Sequence, residues 1–280
     1  MNSIEMLELL RDNVNEATAS QWSDVNLVRR LNMAQRKWGL IVAQTPGQWL
    51  IKSVSVIPVA SVITLPADCS KPIYLEETSS GRPISFLSSV THRRVSRSVG
   101  TSLDVGYREA YPLINTLEVN KDSYVTACTL WYQQRVPDLH TGTAGAATVA
   151  SAIEFADDLN KKFIDDYYNG SYIEVMDQST SILDLRSEIS DYAASTGIAV
   201  VTGTVASGDT YGTISVLPEE THMMLVMDAT VMALMKPSST LDKDVLKFYI
   251  SEFRRMQKEV EGWLMSRTPG SEGTLIGDPY

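Results

Sequence analysis

The most apolar part of the chain is LPEETHMMLVMDATVMALMKPSS, from Leu217 to Ser239. Pro218 suits a first helical turn, Glu219 and Glu220 complement the positive end of a helix dipole, and Pro237 rules out continuation past Lys236. Between them Met223, Met224, Leu225, Val226, Met227, Val231, Met232, Leu234 and Met235 point in all directions. A one-sided surface helix would show a stripe, so the pattern predicts a helix covered from several sides. It is too short and too interrupted to span a bilayer. It is either the central helix of a core or a helix buried partly by its own chain and partly by a neighbour.

Elsewhere the periods separate cleanly. Ser3 is placed to cap a helix carrying Ile4, Leu7, Leu10 and Val14, and Ser23 to cap one carrying Leu27, Leu31, Ala34, Trp38 and Ile41, ended by Pro46-Gly47. After the methionine helix, Tyr249, Phe253, Met256, Val260 and Trp263 repeat the four-three spacing, with Thr240 or Asp242 opening the helix. The middle is β-branched and aromatic: WLIKSVSVI (49–57), SVITLP (61–66), KPIYLEE (71–77) and SYVTACTLWYQQ (123–134) predict strands. TGTAGAATVAS, from Thr141, marks a change to a second β region that runs to Val216, with a tight turn at Asn169-Gly170. The expected fold is α+β: a helical bundle built from the N- and C-terminal helices, with a central β region and an inserted small β-module. The expected boundaries are 1–47 and 217–265 for the helical core, 48–140 for the β region, 141–216 for the module and 266–280 for a C-terminal arm.

Composition narrows the function. The 280 residues are 44% hydrophobic, with a formal charge of −10 and pI near 4.8, which disfavours a dedicated nucleic-acid binder. Two cysteines, Cys69 and Cys128, make no disulfide framework and suit a reducing cytoplasm, and no signal peptide or transmembrane segment is read. His92, His140 and His222 sit in unlike contexts without metal spacing, and no nucleophile elbow, P-loop or dinucleotide fingerprint occurs. His222 reads as a helix-end or interface residue. Asp165-Asp166-Tyr167-Tyr168-Asn169-Gly170 begins like a calcium loop but has Tyr167 third and Met176 twelfth, so a solvated hairpin turn is the better reading. No metal, cofactor or catalytic centre is expected. Arg93, Arg94 and Arg97, beside His92, suit either a DNA phosphate or an acidic neighbour, and the overall acidity favours the neighbour.

Several segments together carry a family resemblance. VNLVRRLNMAQRKW (25–38), SVITLPADCSKPIYLEE (61–77), VTACTLWYQQRVPDL (125–139), and LPEETHMMLVMDATVMALM with KFYISEFRRMQKEV resemble, in order and spacing, the head-to-tail connector proteins of tailed bacteriophages. These adaptors dock under the portal ring. About seventy-five residues stand where many such adaptors pass almost directly to the C-terminal helices. That insertion resembles a small β-module of other phage virion proteins. The resemblance implies a structural virion protein of the neck, assembled in the host cytoplasm. It also implies a homo-oligomeric ring, usually a dodecamer, between the portal protein and the next tail component (nozzle, tail tube or stopper). Double-stranded DNA would pass through without specific binding, and no membrane would be involved. Met224, Met227, Met232 and Trp263 are then candidate subunit contacts, and Leu275, Ile276 and Tyr280 candidate anchors of the arm on the portal. Two alternatives stay open. One is a tail-associated carbohydrate-binding or hydrolytic protein using Tyr167, Tyr168, Tyr172 and nearby acids. The other is an assembly factor absent from the particle.

Overall fold

The structure, a computed structural model, describes residues 1–16, 22–45, 47–59, 61–86, 109–113, 115–119, 127–155, 162–180, 182–235 and 243–266. The chain divides into two compact units: Leu50–Arg135, and Met1–Trp49 together with Val136–Tyr280.

The unit of residues 50–135 is all β among its described residues. Its strands are β1 (Ile51–Val56), β2 (Val62–Thr64), β3 (Cys69–Glu77), β4 (Pro83–Phe86), β5 (Glu109–Pro112), β6 (Thr116–Val119) and β7 (Cys128–Gln134). They form one sheet in the order β1-β7-β3-β4-β5-β6-β2, antiparallel except at β4–β5. Period-two alternation decides what is inside. On β7, Cys128, Leu130, Tyr132 and Gln134 are buried, whereas Trp131 faces out. Ile63, Leu75, Ile84, Leu117 and Leu130 from five strands share one core. The chain enters and leaves this unit side by side, because Gln134 N–H donates to Leu50 O over 2.7 Å.

The other unit mixes helices with sheet. Its helices are α1 (Ser3–Asn13), α2 (Asp24–Gln44), α3 (His222–Leu234, entered through a 3₁₀ turn at Glu219–Thr221) and α4 (Lys243–Ser266). Between α2 and α3 lie β8 (Thr141–Thr143), β9 (Ala152–Glu154), β10 (Tyr172–Met176), β11 (Leu183–Glu188), β12 (Asp191–Ala193), β13 (Ile198–Val200) and β14 (Thr210–Thr213). They make a four-stranded sheet, β11-β10-β14-β8, and a three-stranded one, β12-β13-β9. Ile153, Phe155, Tyr168, Ile173, Tyr192 and Tyr211 fill their common core.

The expectation of a helical bundle is overturned. Among the described residues fourteen strands in three sheets accompany four α-helices, and the helices share one compact unit with two of those sheets instead of standing as a separate bundle. The helices pack around α3, but they are also joined to the sheet. α1 begins on the sheet: Asn2 bridges Ile214, Ser3 Oγ donates to His140 O (2.8 Å), and Asn2 Nδ2 donates to Glu174 Oε2 (2.6 Å). A helix that caps itself against strands needs no bundle to bury its first turn. The cap is Asn2, one residue earlier than read from the sequence, in a capping box with Glu5. α2 starts at its Ser23 cap as expected.

Candidate interaction surfaces

The methionine helix α3 explains its own composition. Met224, Leu225 and Val226 are wholly buried and Met227 nearly so, all within one protomer, and Met232 is half-buried. The all-round apolar pattern therefore answers to α1, α2, α4 and the preceding turn rather than to a neighbour. Met224 and Met227 are core residues, a correction to their reading as subunit contacts. Only Met223 and Met235, at the helix ends, are exposed.

Two polar residues fix the helices around α3. Lys37 Nζ on α2 pairs with the buried carboxylate of Asp228 on α3 at 2.8 Å and lies 4.9 Å from the ring centroid of Phe253 on α4. Asn13, at the end of α1, donates to Thr230 Oγ1 (3.1 Å) and accepts from Tyr249 Oη (3.3 Å). Burial raises the Tyr249 phenol above its ordinary pKa.

α2 holds the segment 136–140 by mimicking a strand. Asn32 Nδ2 donates to Leu139 O (3.0 Å) while Asn32 Oδ1 accepts from Leu139 N–H (2.6 Å), and Gln35 Nε2 donates to Pro137 O. Arg36 makes a two-pronged contact with buried Asp138, which also takes Lys162 Nζ at 2.5 Å. The hydrogen bond to Asp138 holds the Arg36 guanidinium above its ordinary pKa. Gly39 lets Val136 approach: a Cβ there would stand 3.0 Å from Val136 Cγ2. Asn32, Gln35 and Asp138 escaped the sequence reading because a polar residue on a helix face gives no sign of its partner a hundred residues away.

α4 is the helix left incompletely covered. Of its 24 residues Leu264 is the buried one, while Val245, Phe248 and Met265 are exposed and Phe253, Met256 and Val260 are half-covered. Trp263, read as a partner contact, stacks on Trp49 within its own unit, ring centroids 4.8 Å apart. On α2, Met33 and Leu40 are exposed as well.

Other candidates resolve differently. Tyr168 is fully buried in the aromatic core beside His140 and Phe155, and burial pushes its phenol far above the ordinary range. Tyr167 is half-buried, packs edge-on against Tyr168 and lies under Lys162, so Tyr172 is the one fully exposed member of the trio read as sugar-binding. The Asp165–Gly170 run is a turn built on itself. Asp165 accepts from Ala194 N–H, Asp166 takes a positive φ of 61° and accepts from Asn169 Nδ2, and Gly170 has φ 78°. It turns as read, but β10 pairs with β11 and β14, so it is not the loop of a local hairpin. Among the described residues no group of three His, Cys, Asp or Glu converges on a metal position. No described helix is long and apolar enough to cross a membrane. Arg93, Arg94, Arg97, Leu275, Ile276 and Tyr280 lie outside the described residues.

No protein-family model matches the chain, and no curated protein is significantly similar to it.

Proposed function

We propose that the chain is a structural virion protein, a head-to-tail adaptor that forms a ring between portal and tail through which DNA passes. The resemblance in the order of its segments suggests this class. The observation that carries it is the set of large apolar side chains left uncovered on two helices, Val245, Phe248 and Met265 on α4 and Met33 and Leu40 on α2, all exposed in the lone protomer. A subunit that identical neighbours cover leaves such side chains open. The charge supports a conduit that does not hold DNA. Residues 136–216 contain twelve Asp and Glu against three Lys and Arg. The arm Leu275–Tyr280 remains the proposed portal anchor. Deleting Gly270 to Tyr280 should abolish attachment to portal-bearing heads while the subunit stays folded; normal attachment by the truncated protein would remove the anchor. Mass spectrometry of purified particles tests the class itself, since a chain absent from virions is no adaptor.

One observation favours carbohydrate binding as a second reading. Trp131 and Tyr74 face each other across β7 and β3 and are both exposed, beside Ser53 on β1. An aromatic pair flanked by a hydroxyl is a surface that a sugar ring can cover. Saccharide titration monitored by Trp131 fluorescence decides it; no quenching by any glycan ends that reading.

A further inference from the structure

The most exposed large apolar side chain among the described residues is Phe163, at 79%, followed in sequence by Ile164 at 58%. The loop that carries them is tied down. Tyr192 Oη donates to Lys162 O (2.9 Å), Asp166 N–H donates to Tyr192 O (2.9 Å), and Lys162 Nζ is held on Asp138. A fixed loop that projects two apolar side chains into water gains nothing for its own fold, and it has already lost the freedom that binding would otherwise remove. Asp165 and Asp166 follow directly, so the receiving surface should be apolar with cations at its rim.

α2 offers that surface. Met33 (52% exposed) and Leu40 (66%) lie two turns apart on one face. From Val25 to Gln44 the helix has four cations and no carboxylate. Arg29 is exposed at one end of this stripe, and Arg36 shares a single carboxylate with Lys162, which leaves that cluster with one net positive charge.

We propose that the Phe163–Ile164 projection of one copy seats on the Met33–Leu40 stripe of a second copy of this chain, with Asp165 and Asp166 against the α2 cations. The proposal rests on the ring reading only for the symmetry of the assembly. Two full-length variants, Phe163→Cys and Leu40→Cys, are mixed and mildly oxidised. Cys69 is half-buried and Cys128 buried, and each variant alone serves as control. The contact requires a mixed disulfide dimer in at least about tenfold excess over either control. The double variant Phe163→Asp with Ile164→Asp, at two exposed positions, should keep the wild-type Tm and weaken self-association by about tenfold or more in sedimentation. No cross-link above that given by Val59→Cys in place of Phe163→Cys, or undiminished association of the double variant, overturns the contact. A chain carrying both Phe163→Cys and Leu40→Cys separates this contact from the ring. A ladder beyond dimers keeps both, whereas cross-linking that stops at dimers keeps the contact and removes the ring.

Discussion

Asn32 gives the sharpest test of how the helices hold the β-module. Its amide satisfies both backbone groups of buried Leu139, accepting at 2.6 Å and donating at 3.0 Å. Asn32→Ala leaves that N–H and C=O unpaired. Each such group costs about 1–3 kcal/mol, and partial entry of water brings the pair to about 3 kcal/mol, roughly two powers of ten in the folding equilibrium. Asn32→Asp keeps the acceptor but replaces the donor with an oxygen facing Leu139 O, and it places a charge at a buried site. It should therefore be worse than alanine at neutral pH and recover as the carboxyl takes up a proton that can donate again. Urea unfolding followed by tryptophan emission measures this. In a Trp131→Phe background the remaining tryptophans, at 22, 38, 49 and 263, all lie in the unit that contains Asn32, so its transition is read alone. A loss below about 1 kcal/mol for Asn32→Ala, or an Asn32→Asp protein as stable as wild type at pH 7, would refute the strand-mimic account.

Further outcomes follow from the same contacts. Replacing Leu50–Arg135 by a short Gly–Ser link from Trp49 to Val136 should leave the helical unit with a cooperative melt, because the ends of the excised segment are hydrogen-bonded to each other. A non-cooperative melt would show that the unit does not fold alone. Lys37→Met strands the Asp228 carboxylate inside. It should cost about 2–3 kcal/mol in urea unfolding, below the usual loss for a broken buried pair because Lys37 is half exposed. An unchanged midpoint would contradict that role. Burial, and then the N-terminal ammonium, lower the pKa of His222 from its ordinary 6.5. The unfolded chain therefore takes up this proton first. The contribution is present above pH 6.5 and is lost as pH falls from there to the depressed folded value. His222→Gln should flatten the fall in Tm between neutral and mildly acid pH, and an unaltered slope would sink the assignment. Burial, followed by the charge of Asp68, pushes the Cys69 thiol up to about 11, and Cys128 is enclosed. A thiol reagent at pH 8 should therefore react slowly with native protein and with both cysteines in urea; rapid native labelling would contradict the burial.

What could be read beforehand was what depends on local chemistry. Ser23 as a cap, the four-three spacing of α2 and α4, and the β-branched and aromatic runs of β1, β3 and β7 are written in neighbouring residues, and these elements lie in or beside the segments that carry those signals. The apolar pattern of the methionine helix says that it is covered on all sides, but nothing local says by whom. The answer is its own chain, as Met224 shows. Short strands such as β8, β12 and β14 have three or four residues, too few for a period to register, so the second β region shows in the sequence without its strand boundaries or its pairing with α1. The partnership of Asn32 with Leu139 and of Arg36 with Asp138 depends on tertiary placement. In the sequence Phe163 is one more apolar residue of a β region, and only the bend at 163–164 exposes it.

Methionine oxidation footprinting tests the central claim most directly, because the chain carries its own probes. In the free protein Met33 and Met265 are exposed, whereas Met224 is sealed in the core. If the uncovered side chains of α2 and α4 are covered by identical neighbours in a neck ring, Met33 and Met265 will oxidise in the purified subunit and be protected in the assembled particle. Met224 will stay unreactive in both. Equal oxidation of Met33 and Met265 in subunit and particle, or particles that contain no copy of the chain, would contradict the account.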